Sequence, residues 1–411
     1  MRLWGVFLAG CLCASPAARC QAQPSAAPAE RSITLQQALE LAAHQNLDLM
    51  AARQRRAFAL AGIRTARELP NPSVDYEASR DPPHHILLFT QPIEIGGQRA
   101  RRTDVAREEQ SLTDVEITGV ERRVRRSVRE AYFEVAGAEA EAERLARVLE
   151  LARRLHEIAQ QRFAAGDIAQ LEVNQAQLEV ARGEVDLRVA QQQETVSRQR
   201  LSALLNEPEE TVWKILTPLQ EVPGAPPMTD LVAGACQSNT ELEHLAQELR
   251  VERSRAGLLR AERVPDVNLT AGGVFDAPGE FRTGAHGGVT MNLPIFSRNQ
   301  GELAQSSAQQ RYLELQYAAV RRTVAGDVQA AYSEWEARRF EVELYRDTLR
   351  PAAEKVEQQA EESYREGKAN LLTVLEAQRS VQEIEKNYLE SLAAMHNSFA
   401  ALEEITGTNL D

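Results

Sequence analysis

Histidine is the side chain with the most evident capacity for chemistry in this sequence, and three of the seven histidines fall in short extended segments. His84 and His85 are adjacent near one expected hairpin tip, and His286 lies near another. Imidazole at such places could meet a divalent cation in passing. A metal centre needs three or four donors at fixed spacing, however, and a His–His pair without a third ligand reads first as exposed loop residues. No phosphate loop, His-Glu-x-x-His helix, Gly-x-Ser-x-Gly elbow or cysteine-rich metal motif occurs. Asn268-Leu-Thr270 matches a glycosylation sequon and carries no weight alone. The chain therefore reads as a non-enzyme without a cofactor, and its function must come from shape.

The composition describes that shape. Apolar residues make up 43% of the 411 residues and charged residues 26%, but aromatics only 5%. Few large anchors with much Ala, Glu, Gln, Arg and Leu suit long helices packed through small residues. The net charge of −13, with no basic stripe, excludes nucleic-acid binding. An acidic surface suits cation traffic and equally serves plain solubility. Residues 1–22 read as a secretory signal peptide: Arg2, an apolar run from Leu3 to Ala14, then small residues ending at Ala22. That run is too short to span a bilayer. Cys11, Cys13 and Cys20 fall within it, so Cys236 alone remains and an intrachain disulfide is excluded. Leu8-Ala9-Gly10-Cys11 matches a lipoprotein-processing box, but its apolar stretch is short, and Cys11 reads first as an ordinary leader residue.

The mature chain is two copies of one unit. Gly166, Leu171, Val173, Ala176 and Gln177 recur as Gly367, Leu372, Val374, Ala377 and Gln378 at a constant offset of 201. Pro92-Ile93 recurs as Pro294-Ile295, Leu69-Pro70 as Val264-Pro265, and Asn46 with Leu49 as Asn239 with Leu242, in the same order. The units are expected over 23–217 and 228–411, joined by a proline-rich linker at 218–227. Each reads helix, strand, strand, long helix, turn, helix. Thr34 and Gln37 form a capping-box pattern, and the helix they start breaks near Gln45-Asn46 and stops before Pro70. A long helix is expected over 100–163, where Val120, Val124, Val128, Ala131, Val135, Ala138, Ala142, Leu145, Leu149 and Ala152 keep a period near 3.5. At 1.5 Å per residue it is a rod of roughly 95 Å. Its counterpart is expected over 302–364, and Tyr132, Tyr332, Trp335 and Tyr345 read as rod-packing residues. A return helix follows each rod, over 168–205 and 371–405.

Four strands are expected, at 74–79, 86–95, 267–275 and 285–295. Val267, Leu269, Ala271, Gly273 and Phe275 alternate with Asn268, Thr270, Gly272 and Val274. In a membrane barrel the apolar face meets lipid and the other a wet lumen. The alternative is a hairpin laid on the rods. Four strands cannot close a barrel, and open edges are not tolerated in lipid, so spanning requires several copies; three would supply 12 strands.

These features together resemble the TolC-type outer membrane factor family over essentially the whole mature chain. The residues that carry the resemblance are the repeat, the Leu69-Pro70-Asn71-Pro72 lead-in, the Gln91-Pro92-Ile93-Glu94-Ile95-Gly96-Gly97-Gln98-Arg99 exit, Pro294-Ile295-Phe296, and the glycine-containing tips at 163–178 and 364–379. The Gln91–Arg99 stretch is most similar to the cobalt–zinc–cadmium (CzcC-like) branch. The resemblance implies a mainly α fold: a long coiled-coil helical tunnel with four strands given to a trimeric 12-stranded outer-membrane β-barrel. It implies a passive exit duct in the Gram-negative outer membrane, with most of its mass in the periplasm. The implied partners are two further copies in a homotrimer, outer-membrane lipid, a periplasmic adaptor (membrane fusion) protein and a proton-driven inner-membrane pump of the resistance-nodulation-division type. The implied cargo is divalent heavy-metal cations. The same duct could serve drugs or type I secretion, and a soluble periplasmic coiled-coil tether is the competing architecture. By the same resemblance, Glu172, Glu376 and Thr373 are the gate candidates, where acids repeated around an axis would favour cations; solvated helix charge is the ordinary reading of both glutamates. The adaptor would meet the turns Ala165, Gly166, Asp167 and Glu366, Gly367, Lys368.

Overall fold

The computed structural model describes residues 30–81, 83–275 and 283–410. The leader at 1–22, including Cys11, lies outside the described residues. A short strand β1 (Glu30–Ile33) leads to α1 (Leu35–Gln45) and α2 (Leu47–Arg67). Thr34 and Gln37 form the capping box, each side chain bonding the other's backbone N–H, at 3.2 and 3.0 Å. The break falls at Asn46, whose side chain accepts from the Leu49 N–H and donates to the Leu204 carbonyl. The repeat-equivalent Asn239 behaves alike, capping at Leu242 and bonding the Ile405 carbonyl. It divides the second unit's first helix into α5 (Met228–Ser238) and α6 (Thr240–Ala261), where one helix over 230–262 is expected. The asparagine match between the repeats is thus a pair of helix caps.

The rods follow. Helix α3 (Gln98–Ala164) has 67 residues, about 100 Å, and starts from Gly97 at φ +75°. Helix α4 (Gln170–Leu205) returns along it. The buried face of α4 carries Ala176, Gly183, Ala190 and Ser197, one small residue every seven, so the two helices approach closely. Leu149 fills the place a Gly183 side chain would take, 3.2 Å from the Cβ position. A second stripe on α4, Leu171, Leu178, Val185, Val189 and Val196, is exposed. The second rod is not the single helix expected. It comprises α7 (Gln300–Leu344), a π-helical turn at Tyr345–Leu349, and α8 (Arg350–Arg365). Pro351 explains the turn: it has no N–H to donate, and its ring would strike the carbonyl four residues back unless the helix widened. Helix α9 (Leu371–Thr406) completes the unit.

At mid-height the rods enclose the largest core, with Val128, Tyr132, Phe133, Trp335, Leu392, Met395 and Phe399 buried. Tyr332 and Tyr345 pack against it from the side. Strand β4 (Val212–Ile215), unforeseen from the sequence, pairs in parallel with β1. Buried polar groups tie this segment to the rods: Tyr132 hydroxyl donates to the Ile33 carbonyl and accepts from the Thr217 N–H, and the Trp213 indole donates to Ser202. His396 stacks on Phe133 at 3.5 Å and meets the Leu219 carbonyl at 2.9 Å. Burial pushes its pKa down to about 4.

The second sheet has the order β2-β3-β5-β6, all antiparallel, from β2 (Ser73–Ala78), β3 (His85–Ile93), β5 (Val267–Phe275) and β6 (Thr283–Met291). Its two middle strands come from different repeats, so the units are fused at β3 and β5. One face carries Val74, Tyr76, Leu87, Phe89, Leu269, Phe275, Val289 and Met291, all exposed, with Val289 71% accessible. The other carries Asp75, Glu77, Thr90, Asn268, Thr270, His286 and Thr290. A hairpin laid on the rods would bury its apolar face; here that face is the bare one. Both outer edges, β2 and β6, have no strand beside them among the described residues.

Candidate functional site at the rod tips

The sequence candidates gather at the end of the rods opposite the sheet. At the first turn the chain reverses through Gly166 at φ +83°, and the Asp167 N–H returns to the Arg162 carbonyl at 2.9 Å. At the second, Gly367 stands at φ +73° and the Lys368 N–H returns to the Ser363 carbonyl at 2.8 Å. Left-handed backbone followed by these back-bonds closes each helix, and glycine takes it without strain. Ala165, Gly166, Asp167, Glu366, Gly367 and Lys368 are all exposed. The Lys368–Glu366 pair at 2.6 Å is too exposed to stiffen the turn appreciably.

The three gate candidates sit in different settings. Glu172 lies half-buried in the first turn of α4, where the helix's positive end favours an acid. Glu376 is exposed on the second turn of α9. Thr373 is exposed but engaged: its hydroxyl donates to Asn370 Oδ1 at 2.9 Å, and its N–H to the same atom at 3.0 Å, so it completes the cap of α9. His84 and His85 are far from this place in the fold, at the β2–β3 end, where His84 meets the Ser79 carbonyl and His85 stacks against Tyr76. No group of three or more His, Cys, Asp or Glu able to hold a metal occurs among the described residues.

What the sequence did not single out is the joint between the two tips. Leu155, Ala159, Val173 and Ala176 of the first unit pack against Ala360, Tyr364, Leu371, Val374, Leu375 and Ala377 of the second. Tyr364 is the centre of the joint, 1% exposed. The Arg162 guanidinium lies over its ring, 4.8 Å from the centroid, and Nη1 donates to its carbonyl at 3.4 Å. Burial pushes the Tyr364 hydroxyl pKa up, with Arg162 opposing and Glu172 adding to the shift. Among the described residues that hydroxyl has no partner at hydrogen-bond geometry. A second tie, Arg379 to Glu179 at 3.2 Å, crosses between α9 and α4. The repeat partner of Tyr364 is Phe163, which is 43% exposed. The units thus keep an aromatic ring at one alignment position and use it oppositely, and the place where the repeats diverge, Arg162 opposite Ser363, is the signal that could have found the joint.

A polar cavity of about 380 Å³ at the other end of the rods is lined by Glu94, Gln98, Arg102, Glu262 and Asp266. Arg102 forks onto Glu94 there, and burial, then Glu302, push the Glu262 carboxyl pKa up. The cavity marks where sheet and rods join.

The geometry has counterparts among known proteins. A family model described as outer membrane efflux protein matches residues 38–207 and 231–408. The cobalt-zinc-cadmium resistance protein CzcC of Cupriavidus metallidurans is 28% identical over 378 residues, 91% of this chain and 90% of that protein. A membrane protein of Pseudomonas aeruginosa matches with TM-score 0.76 and 18% identity, over 91% of this chain and 92% of that one. The outer membrane protein VceC of Vibrio cholerae gives 0.74 and 19%, over 92% and 97%. CusC, described with transmembrane channel formation, gives 0.74 and 17%, over 91% and 92%. At these identities the structural likenesses establish the fold.

Proposed function

The chain belongs to the outer membrane efflux protein family, and from that premise we propose that it is the exit duct for divalent heavy-metal cations in a pump that spans both membranes. The single observation that carries the duct is the sheet: four strands with a bare apolar face and two open edges, mounted on rods about 100 Å long. Lipid accepts such a face only if the edges are paired. Three copies, each joining β6 to the next copy's β2, would give a closed 12-stranded barrel. The exposed heptad stripe on α4 is the matching feature below the sheet, since a supercoiled wall of rods needs a second seam on each helix.

The cargo rests on the relative CzcC, a cobalt-zinc-cadmium resistance protein. Within the duct, Glu172 and Glu376 supply the acids that would line the closed end, while Thr373 holds the cap beneath Glu376. The Arg162–Tyr364 joint keeps the two tips together, and opening would separate them. The exposed turns at 165–167 and 366–368 are the surface for a periplasmic adaptor, which would couple the duct to a proton-driven inner-membrane pump.

Two measurements test this. Native mass in detergent should give a trimer from the outer-membrane fraction; a soluble monomer or dimer in the periplasm would replace the duct by a coiled-coil tether. Deletion in the parent cell should sensitise it to cobalt, zinc or cadmium; sensitivity to drugs alone would keep the channel and overturn the cargo.

A further inference from the structure

Four chain segments pass between the sheet and the rods: into β2, out of β3, into β5 and out of β6. Each repeats the same pair of features. Nearest the sheet is an exposed apolar side chain: Leu69, Ile95, Val264 and, after β6, Phe296, which is 91% accessible. One to four residues farther from the sheet stands an exposed arginine: Arg67, Arg99, Arg263 and Arg298. None of these four has a carboxylate within ion-pair distance among the described residues. Farther along α2, Arg53, Arg55 and Arg56 are all paired with acids of α3. Exposed arginines without an acid partner among the described residues also occur on the rods, Arg188, Arg311, Arg321 and Arg322 among them; what sets the belt apart is the apolar side chain beside each arginine.

Helix electrostatics accounts for two of the four. Arg67 closes the last turn of α2 and Arg263 follows the C-terminal end of α6, where carbonyl groups favour a cation. Arg99 lies in the first turn of α3 and Arg298 immediately before α7, at the positive ends of the rods, where a cation is disfavoured. Arg263 Nε donates to the Arg298 carbonyl at 2.8 Å and Arg298 Nε to the Pro294 carbonyl at 3.1 Å. Those bonds use Nε, and no bond among the described residues uses the Nη groups of either. Among the described residues the Nη donors of the four stand unused at one level, although Glu68, Glu94, Glu262 and Asp266 lie at the same junction, Glu94 being held by Arg102.

We infer that this belt binds the phosphate headgroups of anionic phospholipid in the periplasmic leaflet of the outer membrane. The belt is continuous with the bare apolar face of the sheet. Strands of nine residues rise about 30 Å, or roughly 20–25 Å when tilted, the height of a barrel's apolar band. The apolar collar then lies at the acyl boundary and the guanidinium groups at the headgroups. The guanidinium fork of these arginines matches phosphate in two-point contact. The consequence is positional: the belt sets how deep the duct sits, and so how far its tips reach toward the inner membrane.

The inference rests on the barrel reading above, and the test separates the two. Full-length protein is assembled into nanodiscs of phosphatidylethanolamine mixed with phosphatidylglycerol, and the lipids retained after release are counted by native mass spectrometry. Wild type should hold phosphatidylglycerol in several-fold excess over its share of the disc. The variant R67Q/R99Q/R263Q/R298Q should retain the two lipids in the bulk ratio. A control with the same charge change on exposed rod arginines, R188Q/R311Q/R321Q/R322Q, should behave as wild type. An inserted trimer without enrichment, or a belt variant that keeps it, overturns the proposal. So does retention of inorganic phosphate by the belt together with the bulk lipid ratio, since the belt would then hold a free anion. Protein recovered only as a soluble monomer would refute the barrel reading as well. As a second readout, F296S should lower retention of both lipids alike; no change would mean the collar lies outside the bilayer.

Discussion

Opening of the duct should depend on the face of the Tyr364 ring and not on its hydroxyl. The ring is 1% exposed and lies beneath the Arg162 guanidinium at 4.8 Å, while the buried hydroxyl has no partner at hydrogen-bond geometry among the described residues. Y364F removes only an unpaired polar group, whose burial already costs stability, so it should leave closure unchanged or slightly firmer. R162Q removes a cation–π contact worth about 1 kcal/mol at a half-exposed site, and a long hydrogen bond of little strength. That moves the closed–open balance roughly fivefold per protomer. Y364A empties the centre of the tip joint, where truncating a buried aromatic costs about 3–5 kcal/mol; the balance should shift more than a hundredfold. The assay is resting conductance and open probability of single channels in planar bilayers, with melting of the mid-height core followed separately. The order expected is Y364F equal to wild type, R162Q modestly leakier, and Y364A open most of the time. Y364F as leaky as Y364A would refute the reasoning, because it would make the hydroxyl the latch. Equal closure in all three would remove the joint from gating.

Three other outcomes follow from the same coordinates. E172Q together with E376Q should reduce cation over anion preference in bilayer reversal potentials while leaving insertion intact; unchanged preference would return both residues to ordinary helix charges. V185E with V189E places charge on the exposed stripe of α4, and native mass should then report monomer with undiminished helical circular dichroism; persistence of the trimer would exclude that face from the seam. His396 sets a pH dependence. Its folded pKa of about 4 lies below the ordinary value of 6.5, so the fold favours the neutral ring and the unfolded chain binds the proton first. Stability is whole above about pH 6.5 and falls as pH drops toward 4, by about 3 kcal/mol at the limit. H396Q should flatten the melting midpoint over that window, and a slope identical to wild type would assign the acid sensitivity elsewhere.

The sequence disclosed what periodicity and punctuation control. Pro70, Gly97, Gly166 and Gly367 end or turn elements by backbone geometry alone, so the rods, tips and sheet strands were legible within a few residues. The break near Gln45-Asn46 was expected, yet its twin at Asn239 was passed over; neither site has a proline or glycine, and the cap geometry of the asparagine makes both breaks. Pro351 was passed over as well. The rod was expected to run unbroken over 302–364, whereas the proline sets a π turn within it before the helix continues. The β1–β4 pair escaped notice because each strand has only four residues and its partner lies some 180 residues away. Alternation cannot declare itself over that length.

The tips show why site residues were harder to read than elements. The family resemblance directed attention to Glu172, Thr373 and Glu376, and alignment of the repeats treats equivalent positions as equivalent in role. Once the chain folds, the two units no longer occupy equivalent places: one tip must be the surface against which the other closes. Phe163 and Tyr364 occupy matching positions, yet only Tyr364 enters the joint, and Arg162 has no counterpart because Ser363 stands in its place. Duplication supplies two hairpins of one design, and a contact between them has to be built from differences. In such a protein the conserved-looking positions of the internal repeat position the backbone, and the mismatched ones deserve the mutations. R162S, which makes the first unit resemble the second, is the direct trial of that principle. It should loosen the tips about as much as R162Q while leaving the sheet, the mid-height core and the trimer untouched.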